Sequence, residues 1–113
     1  MRVAAVISDL MLYSRIESAT TAAGASLLRL DSPADLSVDF DLVLVDWSAR
    51  RTDWADALVP ASGSITRVIL FGQHTDLEAH AAARAAGLGP MWARSKLVTE
   101  LPGLLNQTSP NRT

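Results

Sequence analysis

Cysteine is absent from the 113-residue sequence, which removes disulfides, thiol nucleophiles and thiolate-ligated metals together. A chain without cysteine fits a reducing cytoplasm, the expected location. An excess of charge of one sign is also missing: ten Lys and Arg stand against twelve Asp and Glu, for a net charge of −2. The densest basic spot is Arg50-Arg51. That balance argues against nucleic acid as a partner, because phosphate backbones are met by a basic excess. No apolar run nears the ~20 residues that cross a bilayer, so no membrane role is expected. Met1-Arg2 leads into only five apolar residues before Ser8-Asp9, too short a run for a secretory leader. No glycine-rich turn follows the first apolar run, which ends Ile7-Ser8-Asp9-Leu10. A phosphate loop or dinucleotide fingerprint is therefore unsupported. No G-x-S-x-G elbow occurs either, since Ser62-Gly63-Ser64 reads as a turn.

The sequence does contain a core. Hydrophobic residues make up 49% and charged residues 19%, ordinary values for a single globular domain. Five short apolar runs punctuate it: residues 3–7, 26–30, 42–45, 68–71 and 91–93. Those at Val3, Leu42 and Val68 are β-branched and apolar with little alternation, the pattern of strands buried on both faces in a parallel sheet. Helical stretches separate them. Residues 10–23 place Leu12, Ile16, Ala19 and Ala23 on one stripe, with Gly24 at the C-terminal stop. Thr75-Asp76-Leu77-Glu78 reads as a capping box with Thr75 as the cap, opening an alanine-rich helix that ends at Gly87. Ser95 is expected to cap a last helix over 96–105, bent or shortened by Pro102. Residues 51–59 form a weaker helix candidate stopped by Pro60, and Ser32-Pro33 opens a stunted one. Strand and helix alternate about five times, the order of a doubly wound α/β domain with helices on both faces of a five-stranded parallel sheet. The expected domain spans residues 1–105, and the polar residues 106–113 read as a disordered tail. That tail leaves no room for an output domain, so any effect is expected to pass through another polypeptide.

In open parallel sheets the ligand site lies at the carboxyl ends of the strands. The residues there are Ser8-Asp9 after the first run, Asp46-Trp47-Ser48 after the third, Gly72-Gln73-His74 after the fourth and Arg94-Ser95 after the fifth. One edge thus collects two carboxylates, a guanidinium, an imidazole and several small polar groups. Asp9 and Asp46 are suited either to a magnesium ion, which takes oxygen ligands, or to a carboxylate–arginine cluster with no metal. Individually, each of these residues is better explained as a helix cap or a polar strand end; the set says more than its members. Trp92 reads as core and Trp54 as the apolar face of a helix. Trp47 is expected to be partly exposed beside the site.

The chain resembles the receiver domains of two-component response regulators over residues 2 to about 105. The resemblance rests on Asp46 within Leu42-Val43-Leu44-Val45-Asp46-Trp47, similar to the family's strand-three phospho-acceptor. It also rests on Asp9, at the second position of the family's strand-one acidic pair, and on Arg94, where the family keeps a lysine near the end of strand five. The resemblance implies a flavodoxin-like fold with strand order 2-1-3-4-5, magnesium on Asp9 and Asp46, and phosphoryl charge met by Arg94. The departures are as pointed. Ser8 replaces the first acid, Gly72 replaces the switch Ser or Thr, and Met91 takes the aromatic switch position. Ser95 replaces the usual proline, and Arg94 presents a rigid fork where a lysine presents a point charge. Such substitutions resemble those of pseudo-receivers.

Three functions follow. The first is a stand-alone atypical receiver-like module that binds a protein partner or its own copy, through its last two helices and strand five, without the ordinary phosphorylation cycle. The second is a response regulator that accepts a phosphoryl group on Asp46 from a histidine kinase with Mg2+, with Arg94 and His74 meeting the new charge. The third is a small-molecule sensor holding an anionic or polar ligand with Asp46, His74, Arg94 and Ser95.

Overall fold

The computed structural model describes residues 1–36, 40–51, 53–62, 67–73, 75–88 and 90–107. Among these, five strands and four α-helices alternate: β1 (Arg2–Val6), α1 (Leu10–Ala22), β2 (Ser26–Leu30), β3 (Leu42–Asp46), α2 (Trp54–Ser62), β4 (Arg67–Gly72), α3 (Leu77–Ala85), β5 (Trp92–Ala93) and α4 (Arg94–Gln107). The sheet is parallel throughout, in the order β2-β1-β3-β4-β5, as expected. Between β2 and β3 the chain makes one 3-10 turn, Pro33–Asp35, capped by Ser32; a stunted helix is what that short crossover holds. No described helix is long and apolar enough to cross a membrane.

Apolar residues on both faces of the central strands place the sheet between two cores. Successive side chains of a strand point to opposite faces. Val3, Ala5, Leu42, Leu44, Ile69 and Phe71 therefore pack with Leu12 and Ile16 of α1 and Leu97, Leu101 and Leu104 of α4. Ala4, Val6, Val43, Val45 and Leu70 pack on the other face with Trp54 and Leu58 of α2 and Ala79 and Ala83 of α3. Each fully buried aliphatic side chain of this kind contributes about 1.5–3 kcal/mol. The edge strand β2 is largely exposed.

Glycines terminate α1 and α3. Gly24 and Gly87 adopt φ of +74° and +72°, a left-handed backbone that strains any residue with a Cβ. At each, the glycine N–H returns to a carbonyl three residues back and the next N–H to one five residues back, Ala25 to Thr20 and Leu88 to Ala83. These are Schellman stops.

Several local expectations are corrected. The cap of α3 is Asp76, whose carboxylate accepts from the Ala79 N–H at 3.1 Å, so Thr75 lies one residue outside the helix start. Ser95 falls in the first turn of α4 because that helix already starts at Arg94. Pro102 does not shorten α4, which runs to Gln107, two residues past the expected boundary at Leu105. Its ring sits on the exposed side, so the missing N–H falls where water reaches the backbone. Pro60 likewise does not stop α2, which ends at Ser62. The expected turn at Gly63-Ser64, His74 and the tail from residue 108 lie outside the described residues.

Candidate functional site

Asp9 follows β1 and opens α1. Its Oδ1 accepts from the N–H groups of Met11 and Leu12 at 3.0 and 3.2 Å, which makes it the helix N-cap. The Leu12 N–H, chief among several influences, holds its carboxyl below the ordinary aspartate value. Asp46 ends β3 and is buried. Its Oδ1 accepts from the Ser48 N–H at 3.2 Å, closing a 3-10 turn over Trp47–Ala49. Burial pushes its carboxyl up and the nearby Arg94 guanidinium opposes that shift.

One side chain joins the two carboxylates. Arg94, at the junction of β5 and α4, donates from Nη1 to Asp9 Oδ2 at 3.2 Å and from Nη2 to Asp46 Oδ2 at 3.4 Å. Three strand ends are thereby tied by a single planar cation. The bonds are longer than the about 2.7–2.9 Å of tight charge-assisted pairs. The buried Nε–H of Arg94 has no acceptor among the described residues. Among the described residues, the two carboxylates are the partners shown for this guanidinium.

The expected site residues separate into groups. Asp9, Asp46 and Arg94 come together. Gly72 and Gln73 sit beside them, with Ser48: its Oγ accepts from the Gln73 N–H at 3.4 Å and occupies the space a Cβ on Gly72 would need. The sulfur of Met91 closes the other side of Gly72. Ser95 lines the cleft beyond Arg94. Trp47 is corrected: its indole is buried under α3, donating from Nε1 to the Ala79 carbonyl at 3.0 Å, because the 3-10 turn after Asp46 rolls it inward. Ser8 is exposed and lines a cavity at the carboxyl ends of β1 and β2. Trp92 is half-buried at the sheet edge, with the Lys96 ammonium 4.5 Å above its ring.

Sequence reasoning missed Arg29, whose Nε donates to the Ile7 carbonyl at 3.0 Å. A lone cation inside the apolar run 26–30 was the available signal. The place of Ser48 against Gly72 had no signal in the sequence.

A magnesium ion at Asp9 and Asp46 would share their Oδ2 atoms with Arg94, since each of these oxygens already accepts from a guanidinium N–H. Among the described residues no group of three carboxylate or imidazole side chains converges on one point.

No family model matches the sequence, and no curated protein matches it. Solved structures do. A response regulator receiver domain protein from Clostridium thermocellum is 16% identical with a TM-score of 0.69, covering 95% of this chain and 92% of its own. The receiver domain of a Francisella response regulator is also 16% identical, with a TM-score of 0.68 over 95% and 94%. A response regulator protein from Burkholderia multivorans is 17% identical, with a TM-score of 0.66 over 99% and 98%. At this identity the likeness concerns the backbone, and together with the strand order it shows that the chain has the fold of response regulator receiver domains.

Proposed function

We propose that the chain is an atypical receiver-like signalling module that works by binding a protein partner and does not run the ordinary phosphorylation cycle. The observation that carries this reading is the Arg94 fork. Phosphoryl transfer to a carboxylate relies on a metal ion to neutralise the charge of the transferred group. Asp46 has its free oxygen on a tethered cation, 3.4 Å away, shared with Asp9. Magnesium would have to compete with a covalently attached charge, so its binding is weak. In this reading Arg94 holds the loops after β1 and β3 in one arrangement, and a partner reads that fixed surface. The last two helices and β5 are the surface we assign to a partner or a second copy. The slightly acidic charge keeps nucleic acid out of the reading, and the location we assign is cytoplasmic.

The test is an amide NMR titration with magnesium, then with magnesium plus beryllofluoride, which mimics an acyl phosphate. Spectra that stay flat around Asp9, Asp46 and Gly72 are the expected result. Saturable shifts that need both additions overturn it and favour the alternative, a response regulator phosphorylated on Asp46 by a histidine kinase. A small molecule that co-purifies and shifts Arg94 and Ser95 favours the sensor reading.

A further inference from the structure

We infer that the chain carries a second site, for a small oxyanion, beside the Asp9–Asp46 pair and separate from it. It is the cavity of about 190 Å³ at the carboxyl ends of β1 and β2. The strand order reverses between β1 and β3, where Asp9 and Asp46 sit, and this crevice opens on the opposite, β2 side of β1.

Two guanidinium groups reach this crevice from different elements. Arg29, near the end of β2, lines the cavity and is braced by its Nε–H on the Ile7 carbonyl at 3.0 Å, which fixes the stem. Arg51 arrives from the loop ahead of α2 and is exposed. Its neighbour Arg50 turns away, donating to the Trp47 carbonyl at 3.3 Å and lying 5.8 Å over the Trp47 ring. Adjacent arginines thus serve different sites. Ser8 adds a hydroxyl to the lining, and the buried indole of Trp54 supplies an apolar wall.

The charges around the cavity favour an anion. Asp31 is the single acid among the described lining residues. Its side chain is 92% exposed and stands 4.0 Å from Arg29, so it neutralises little. Asp9 and Asp46 do not line the cavity and are occupied by Arg94. Ser8, a neutral residue, stands where the resemblance places an acid, so no carboxylate on β1 repels an anion here. Guanidinium forks and a hydroxyl match the oxygens of phosphate. The volume is below the roughly 300 Å³ at which drug-sized pockets begin, which limits the occupant to phosphate or a compact phosphate monoester.

The test is a titration of the 15N-labelled chain with orthophosphate, ionic strength being held with chloride. Saturable shifts are expected at Ser8, Leu30, Arg51 and the Trp54 indole. Arg51→Gln should weaken the binding about tenfold, as loss of a hydrogen bond to a charged group does. Arg50→Gln should leave it unchanged. Shifts that never saturate, or an equal effect of the two substitutions, overturn the proposal. A parallel titration with glycerol 3-phosphate separates the sources: tighter binding assigns the site to a monoester, and equal or weaker binding to the free ion. None of Asp9, Asp46, Gly72 or Arg94 is among the described residues that line this cavity, so phosphate binding here and magnesium or beryllofluoride binding at Asp46 are read out at different residues.

Discussion

Adding a single methyl group at Gly72 tests how the switch region of this chain is packed. Gly72 has no positive φ, so alanine there meets no backbone penalty. Relief of unfolded-state entropy alone would stabilise Gly72→Ala by about 0.4–1 kcal/mol. Against that, the new Cβ would collide with Ser48 Oγ and come within 3.1 and 3.3 Å of the sulfur and methyl of Met91. The methionine end is flexible and gives way. Ser48 is less free, because its N–H is tied to Asp46 and its hydroxyl to the Gln73 N–H. Overpacking of this kind costs about 1–3 kcal/mol, so the net expectation is a loss of about 0.5–2 kcal/mol. In a Ser48→Ala background the colliding atom is gone, and the same change becomes neutral or stabilising. The coupling in this double-mutant cycle should be about 1 kcal/mol or more. Urea unfolding of the four chains reads it: with m of about 1–3 kcal/mol/M, the coupling moves the midpoint by a few tenths of a molar or more. A Gly72→Ala effect that is the same in both backgrounds refutes the reasoning.

Arg94→Ala leaves the Asp46 carboxylate buried without its cation. Breaking a fully buried pair costs about 3–5 kcal/mol, but the Arg94 side chain is 39% exposed and screening reduces the loss to about 1–2 kcal/mol. Adding Asp46→Asn should recover part of that loss in urea unfolding, since no charge is then stranded. Stability against pH tests Asp46 directly. Its folded pKa is raised above 3.8, so the folded state keeps a proton that the unfolded chain has released. Its contribution is greatest in acid and is lost as pH rises through the raised value; that of Asp9, whose pKa is lowered, is lost as pH falls. The stability of Asp46→Asn relative to wild type should therefore rise from acid toward neutral pH, and a flat or falling difference counts against the assignment. Gly24→Ala and Gly87→Ala should each cost about 1–2 kcal/mol in thermal or urea unfolding, because both glycines are left-handed.

The sequence carried the sheet well because runs such as 42–45 are apolar on both faces, and only a strand between two layers of helices buries both. Helix ends were harder to read. Thr75 and Asp76 are both good caps, and the choice between them falls to the tertiary position of α3. Proline misled at residue 102 because its ring lies on the exposed side of α4, where water reaches the backbone, and a one-dimensional pattern does not give that side. For the site, strand-end position was enough to bring Asp9, Asp46 and Arg94 together. It was not enough for Trp47, whose direction is set by the turn that Asp46 itself caps. Ser48 and Gly72 are 24 positions apart in the sequence, and no periodicity connects them.

The Arg94 fork also has a kinetic consequence. Its partners lie 85 and 48 positions away along the chain, and Arg94 follows a strand of only two residues. Closing loops of that length is entropically costly and is rewarded only after the sheet has assembled. The guanidinium should therefore reach its carboxylates after the rate-limiting barrier to folding. In stopped-flow experiments Arg94→Ala should steepen the escape from the native state, with faster unfolding and a nearly unchanged refolding rate. The cluster then acts as a latch that closes last and sets how long the folded molecule lives.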